Sequence, residues 1–190
     1  PLPDSYVPGR IDRELADELV HLSYLDEGPM HAQEFLAKNG IHLVIERHLH
    51  RTYLDGASML LQNGTPVIGL TLRHDRLDNF WFTLCHELAH IGLHLEHMDD
   101  KSFFDDVEAA SADLLERAAD DWASEVLIPT RAWQKAGLGA RSRAPDVKKL
   151  ARDLRISPAI VAGRLRRELN NYGVLSRQVG AGKVRGMFGC

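Results

Sequence analysis

The sequence predicts an α+β fold, mostly helical, in which a small antiparallel sheet precedes a helix carrying H-E-x-x-H and a basic helical module closes the chain. Three observations predict it. Apolar residues recur at helical spacing over most of the length. One hairpin signature, Asn63-Gly64, separates two runs of strand-forming residues. Charge divides sharply: residues 1–130 carry 9 Lys+Arg against 24 Asp+Glu, a formal −15, and residues 131–190 carry 14 against 3, a formal +11, together the −4 of the whole. Such asymmetry implies two modules with different partners, expected at 1–136 and 137–190.

The elements follow in chain order. Ile11, Leu15, Leu19 and Leu22 form one helical stripe behind Asp12, an N-cap residue type. A second helix is expected over Pro29–Asn39, with proline in its first turn and Gly40 at its end. Ile41–Ile45 reads as a strand, and Ala57–Leu61 and Pro66–Thr71 flank the Asn63-Gly64 turn as a hairpin. Asp75, Asp78 and Asn79 are candidate caps for the next helix, whose apolar residues include Phe80, Trp81, Phe82, Leu84, Leu88, Ala89 and Ile91. Leu114, Leu115, Ala118, Ala119, Trp122, Ala123, Val126 and Leu127 give a broad apolar face to a helix over Val107–Leu127. Gly137–Pro145 reads as a linker. Asp146–Leu154 and Pro158–Leu169 then form two helices separated by three residues, which is helix-turn-helix spacing.

Composition narrows the class. With 190 residues and 44% hydrophobic content the chain can bury a substantial core. It shows no signal-peptide or membrane-span pattern and holds only Cys85 and Cys190, so a cytoplasmic, disulfide-free protein without membrane attachment is expected. Cys85 reads as a small core residue. The opening Pro1, in place of Met, is expected to mark a fragment of a longer protein.

The chemistry centres on H-E-L-A-H, residues 86–90. At about 100° and 1.5 Å per residue, His86 and His90 lie roughly 40° apart around a helix and about 6 Å apart along it, so both imidazoles can reach one metal ion. The bland alternative is a chance match with two ordinary histidines. An apolar helix leaves little room for unpaired imidazoles, however, and that favours the metal. Glu87 is roughly 60° from His90, poorly placed as a ligand and well placed to take a proton from a water at the metal.

A hydrolytic zinc site needs a third protein ligand and one open position. His94 and His97 lie one or two turns beyond His90 on a straight helix, too far for the same ion. The H-E-x-x-H-x-x-G-x-x-H spacing fails at Leu93 and Glu96. Glu116 and Glu125 are carboxylates flanked by apolar positions, which calls for compensation. Glu116 is preferred because Asp120, four residues on, can hydrogen-bond a ligand histidine. The alternative for both is pairing with arginines at the rim. His94, His97, Tyr53 and the arginines all remain candidates to stabilise a developing oxyanion. In the tail, Arg164, Arg166 and Arg167 fall on the second helix of the helix-turn-helix-like pair. They would either grip nucleic-acid phosphates or face water and the acidic first half.

Two segments, F-T-L-C-H-E-L-A-H-I-G-L-H from Phe82 and E-R-A-A-D-D-W-A-S-E-V-L-I-P from Glu116, resemble the ImmA/IrrE family of bacterial metallopeptidase domains. The resemblance implies a zincin-like fold, Zn2+ bound by His86, His90 and Glu116, and Glu87 as the base. The chain departs from the family at Ala118, Asp120 and Trp122, where Glu, Asn and Phe are common, and keeps the four chemical positions. The run I-S-P-A-I-V-A-G-R-L-R from Ile156, with N-Y-G-V-L-S and G-K-V-R after it, resembles the tail of regulators that join an Xre-type DNA-binding domain to such a domain, some of them HigA-like antitoxins.

Two functions are therefore expected to compete. One is a zinc endopeptidase that cleaves a repressor-like protein in stress, defence or mobile-element regulation. The other is a transcription regulator or antitoxin with a toxin partner, in which the peptidase-like domain senses or oligomerises, for example as a homodimer. DNA would be bound through an upstream Xre-type domain or the basic tail.

Overall fold

The computed structural model describes residues 5–46, 54–95 and 109–189. Helix α1 (Arg13–His21) starts at Asp12, whose Oδ1 accepts the Leu15 N–H at 2.9 Å, so the cap falls where the sequence puts it. Helix α2 (Gly28–Lys38) has Pro29 in its first turn, and Gly40, at φ 77°, turns the chain into β1 (His42–Glu46). Strands β2 (Gly56–Leu60) and β3 (Pro66–Thr71) form the expected hairpin. Gly64 takes φ 78°, and Asn63 Oδ1 accepts the Thr65 N–H at 3.1 Å.

The sheet is mixed where a purely antiparallel one was expected. Its order is β1-β3-β2, with β2 antiparallel and β1 parallel to β3. Alternation of apolar and polar residues fixes which face a strand buries, and β3 buries Pro66, Ile68 and Leu70 in that way. It says nothing about which strand is central. The sequence pattern was therefore silent on β1 adding to the far edge of β3, which leaves β2 as the opposite edge.

Helix α3 (Leu77–Ala89) runs through the middle of the molecule and continues as a π-helical turn over His90–His94. None of the candidate caps closes its start. Arg76 occupies the N-cap without a side-chain capping bond, and the N–H groups of Leu77 and Asp78 donate to the Val179 carbonyl at 3.1 and 3.4 Å. Asp78 binds Arg76 instead, and Asp75 accepts from the Val184 and Arg185 N–H groups at the start of α8 (Val184–Phe188). A segment about a hundred residues away supplies the cap, and no local pattern signals that.

Helix α4 (Ala109–Leu127) packs on α3, and a short helix α5 (Thr130–Ala136), absent from the expected elements, ends at Gly137 with φ 59°. Helices α6 (Ala144–Leu154) and α7 (Pro158–Glu168) take the expected helix-turn-helix spacing, with Arg155 left-handed between them and Ser157 capping α7. However, α7 buries Ala159, Ile160, Val161, Ala162, Leu165 and Arg166. It is a core helix packed on α3 and α6, not an exposed reading helix. Leu15, Ile68, Leu84, Val126, Val147, Val161 and Leu165 belong to one buried cluster, so residues on both sides of position 136 share a core. Among the described residues no helix is long and apolar enough to cross a membrane.

Candidate metal centre

His86 and His90, one turn apart near the end of α3, turn their rings toward each other with Nε2 atoms 3.0 Å apart. Because α4 lies against α3, Glu116 reaches across, with Oε2 3.3 Å from His86 Nε2 and Oε1 3.3 Å from His90 Nε2. One ligand atom from each of His86, His90 and Glu116 lies within 4.8 Å of the others, a cluster able to hold a metal ion. Asp120, one turn along α4, stands 2.9 Å from His86 Nδ1.

The hydrogen bonds behind this cluster determine what it can bind. A carboxylate only accepts, so the His86 tautomer that donates from Nδ1 to Asp120 turns its Nε2 lone pair inward. His90 Nδ1 lies 3.1 Å from His94 Nδ1. With His90 donating there, its Nε2 lone pair also faces inward. In these tautomers two imidazole lone pairs and a carboxylate converge with no proton between them, an arrangement suited to a cation. Two nitrogens at about 2.05 Å from one tetrahedral ion would stand roughly 3.3 Å apart, and the separations here are 3.0 and 3.3 Å. Burial, followed by the neighbouring His86, holds the His90 imidazole below its usual pKa, and burial does the same for His94, a shift toward the neutral form that ligation requires.

Glu87 lines the same cleft without being one of the three clustered residues and is only 7% exposed. The Ser58 hydroxyl on β2 donates to its Oε2 at 2.9 Å. Burial raises the Glu87 pKa, the Ser58 hydrogen bond and His86 oppose that shift, and Glu116 reinforces it. Gly56 lets β2 approach this closely, because a Cβ there would stand 2.7 Å from both Glu87 Oε1 and Thr83 Cγ2. The centre opens into a cleft of about 870 Å³, walled by residues 54–58 on one side and by Glu116 and Asp120 on the other. Ser58 was not singled out by the sequence. The one hint was a glycine opening a strand at Gly56.

The remaining candidates are elsewhere. Glu125 accepts from the Thr130 N–H and hydroxyl at 2.9 and 2.6 Å, bonds that lower its pKa, so it holds the start of α5 and stays outside the cluster. His94 lines the cleft and contacts His90 from behind, and His97 and Tyr53 lie outside the described residues. Cys85 is buried, and its thiol is pushed up to about 12 by that burial, in keeping with a core role. Arg166 is buried, Arg164 is half-buried and Arg167 is exposed. Arg164 lies over Trp133 and donates to the Ile128 carbonyl, Arg166 is 6% exposed, and Arg167 lies over Phe82 and donates to Ser124. Arg164 also pairs with Glu168 and Arg166 donates to the Tyr172 carbonyl, so these side chains bind groups of the protein itself.

Fold and site together define a metallopeptidase-type domain built on an H-E-x-x-H helix. The model of the IrrE N-terminal-like domain, a peptidase family, matches residues 39–166, and the chain belongs to that family. No curated protein matches significantly. Among solved structures, a Mycobacterium tuberculosis transcriptional regulator is similar at 19% identity and a TM-score of 0.44, over 88% of this chain and 48% of that one. The chain thus spans about half the length of that regulator.

Proposed function

We propose that the protein is a zinc-dependent endopeptidase of the ImmA/IrrE type that cleaves a repressor-like protein, with His86, His90 and Glu116 holding the ion. The observation that carries this reading is the convergence of two imidazole nitrogens and a carboxylate oxygen within 4.8 Å of one another, beside a buried carboxylate that is not one of them. Two nitrogens and one carboxylate suit zinc and leave a position for water. When bound, the ion supplies Lewis acidity that activates a water near neutral pH and polarises the scissile carbonyl. Glu87 takes the proton of the attacking water and returns it to the amine as the C–N bond breaks. Its buried setting suits that role, since a carboxyl with a raised pKa both accepts and releases a proton nearer neutrality.

The substrate chain has a ready track. Among the described residues β2 is an edge strand whose residues 56–58 line the cleft, and the outer side of such a strand can pair with an extended peptide. The choice of a repressor-like substrate rests on the family resemblance. The test is Glu87→Gln, which keeps size and hydrogen-bonding reach but cannot accept a proton. Zinc content and melting behaviour should match the wild type, while cleavage of candidate repressors falls at least about 10²-fold. Equal cleavage by the variant would remove Glu87 from the mechanism, and wild type that binds zinc and cuts nothing would leave the site sensory.

A further inference from the structure

Beside the metal cleft, and sharing Asp55, Asn79 and Phe82 with it, lies a second cavity of about 470 Å³ between α3, the end of α4 and α7. Four arginines line it: Arg76, Arg164, Arg166 and Arg167. Two are neutralised within the protein. Arg76 binds both oxygens of Asp78 at 2.9 and 3.2 Å, and Arg164 binds Glu168 at 3.0 Å. The cavity's other acid, Asp55, is held by Arg73 at 2.8 and 3.3 Å.

Arg166 and Arg167 form no ion pair among the described residues. Arg166 donates through Nε and Nη2 to the Tyr172 carbonyl, and its Nη1 is buried without a hydrogen-bond partner. Asp78 feels the charge of Arg166 but is already committed to Arg76. Arg167 donates through Nη2 to Ser124 and lies 4.5 Å over the Phe82 ring. A guanidinium cannot shed its charge, and burying one without an anion is costly. Arg166, buried without an ion pair, and Arg167, exposed on the same wall, stand beside Leu127 and Ile160 and describe a site short of one anionic partner.

The cleft indicates where that anion comes from. Ser58 marks the position of Glu87 along β2, and Asp55, three residues back, marks the mouth of the cavity. At about 3.3 Å per residue the two are roughly 10 Å apart along an extended chain. We infer that the arginine cavity is a specificity subsite, which receives an acidic side chain two or three residues from the scissile bond of a peptide lying along β2. The inference rests on the peptidase reading, and it adds the substrate feature that the metal centre cannot select.

Binding separates the two readings. The zinc-loaded full chain carrying Glu87→Gln is titrated by fluorescence anisotropy with short labelled peptides that differ only in Glu, Ala or Lys at each of the three positions flanking the central bond. Glu at one of these positions should bind at least about tenfold more tightly than Ala, the lower end for a hydrogen bond to a charged group. Adding Arg167→Glu, at a position less buried than Arg166, should reverse the preference toward Lys. Equal binding of Glu and Ala peptides, or a Glu preference untouched by Arg167→Glu, overturns the subsite. So does displacement of the peptide by free glutarate at the same concentration, since that would make the cavity a small-molecule site. A Glu preference that reverses as expected while the wild type cuts nothing upholds the subsite as a peptide-binding cavity and removes only the peptidase reading.

Discussion

Replacing Asp120 with alanine should weaken zinc binding by about tenfold without removing a ligand. The expectation follows from the 2.9 Å contact between Asp120 Oδ1 and His86 Nδ1. That bond holds the imidazole proton on Nδ1 and keeps the Nε2 lone pair aimed at the cluster. Without the carboxylate, water can accept the Nδ1 proton only part of the time, and the competing tautomer turns an N–H toward the ion. Partners of this kind are typically worth 10- to 100-fold in metal affinity, about 1.4 to 2.7 kcal/mol. The Asp120 side chain is 53% exposed, and solvent screening puts its effect at the lower end of that range. Asp120→Asn, whose amide oxygen still accepts the Nδ1 proton, should lose less than Asp120→Ala. Competition against a chromogenic chelator at fixed pH measures the affinities directly. An Asp120→Ala protein that binds zinc within twofold of wild type would refute the argument, because it would show that the histidine needs no external orientation.

Three further outcomes are expected. Ser58→Ala removes the hydroxyl that stabilises the Glu87 carboxylate, so a pKa already raised by burial rises further. A base works deprotonated, so the acid limb of the pH–rate profile should move to higher pH, and a limb that stays put or moves lower would count against Glu87 as the base. Gly56→Ala forces a methyl to within 2.7 Å of Glu87 Oε1 and Thr83 Cγ2. Displacing the carboxylate by about 1 Å should cost on the order of 10²-fold in turnover while zinc content is retained, and full activity would show that the strand gives way instead. Ser23→Ala removes the acceptor of the buried Ser157 N–H at 3.0 Å. Leaving that donor unpaired should cost about 1–3 kcal/mol, visible as a thermal melt several degrees lower. An unchanged melting temperature would mean that the link between the Ser23 turn and α7 carries no stability.

What the sequence alone determined about this protein lay within single elements. His86, Glu87 and His90 share a helix, and Glu116 and Asp120 share another, so helical geometry sets their spacing and the motif can be read from residue numbers. The Asp12 cap, the Asn63-Gly64 turn and the α6–α7 spacing are equally local, since each involves residues no more than a few positions apart. The tertiary structure decided everything that depends on elements meeting. It brought β1 to the far edge of β3, placed Val179 rather than a neighbouring aspartate at the start of α3, and set Ser58 against Glu87 across 29 positions of sequence. It also placed Arg166 and Arg167 along one cavity, the first buried and the second exposed, where helical phase had left their surroundings open. A side chain's charge and helical phase are written in the sequence, but its partner is chosen by packing between distant segments. The same arginine run can therefore face solvent or the core, and only the fold tells which.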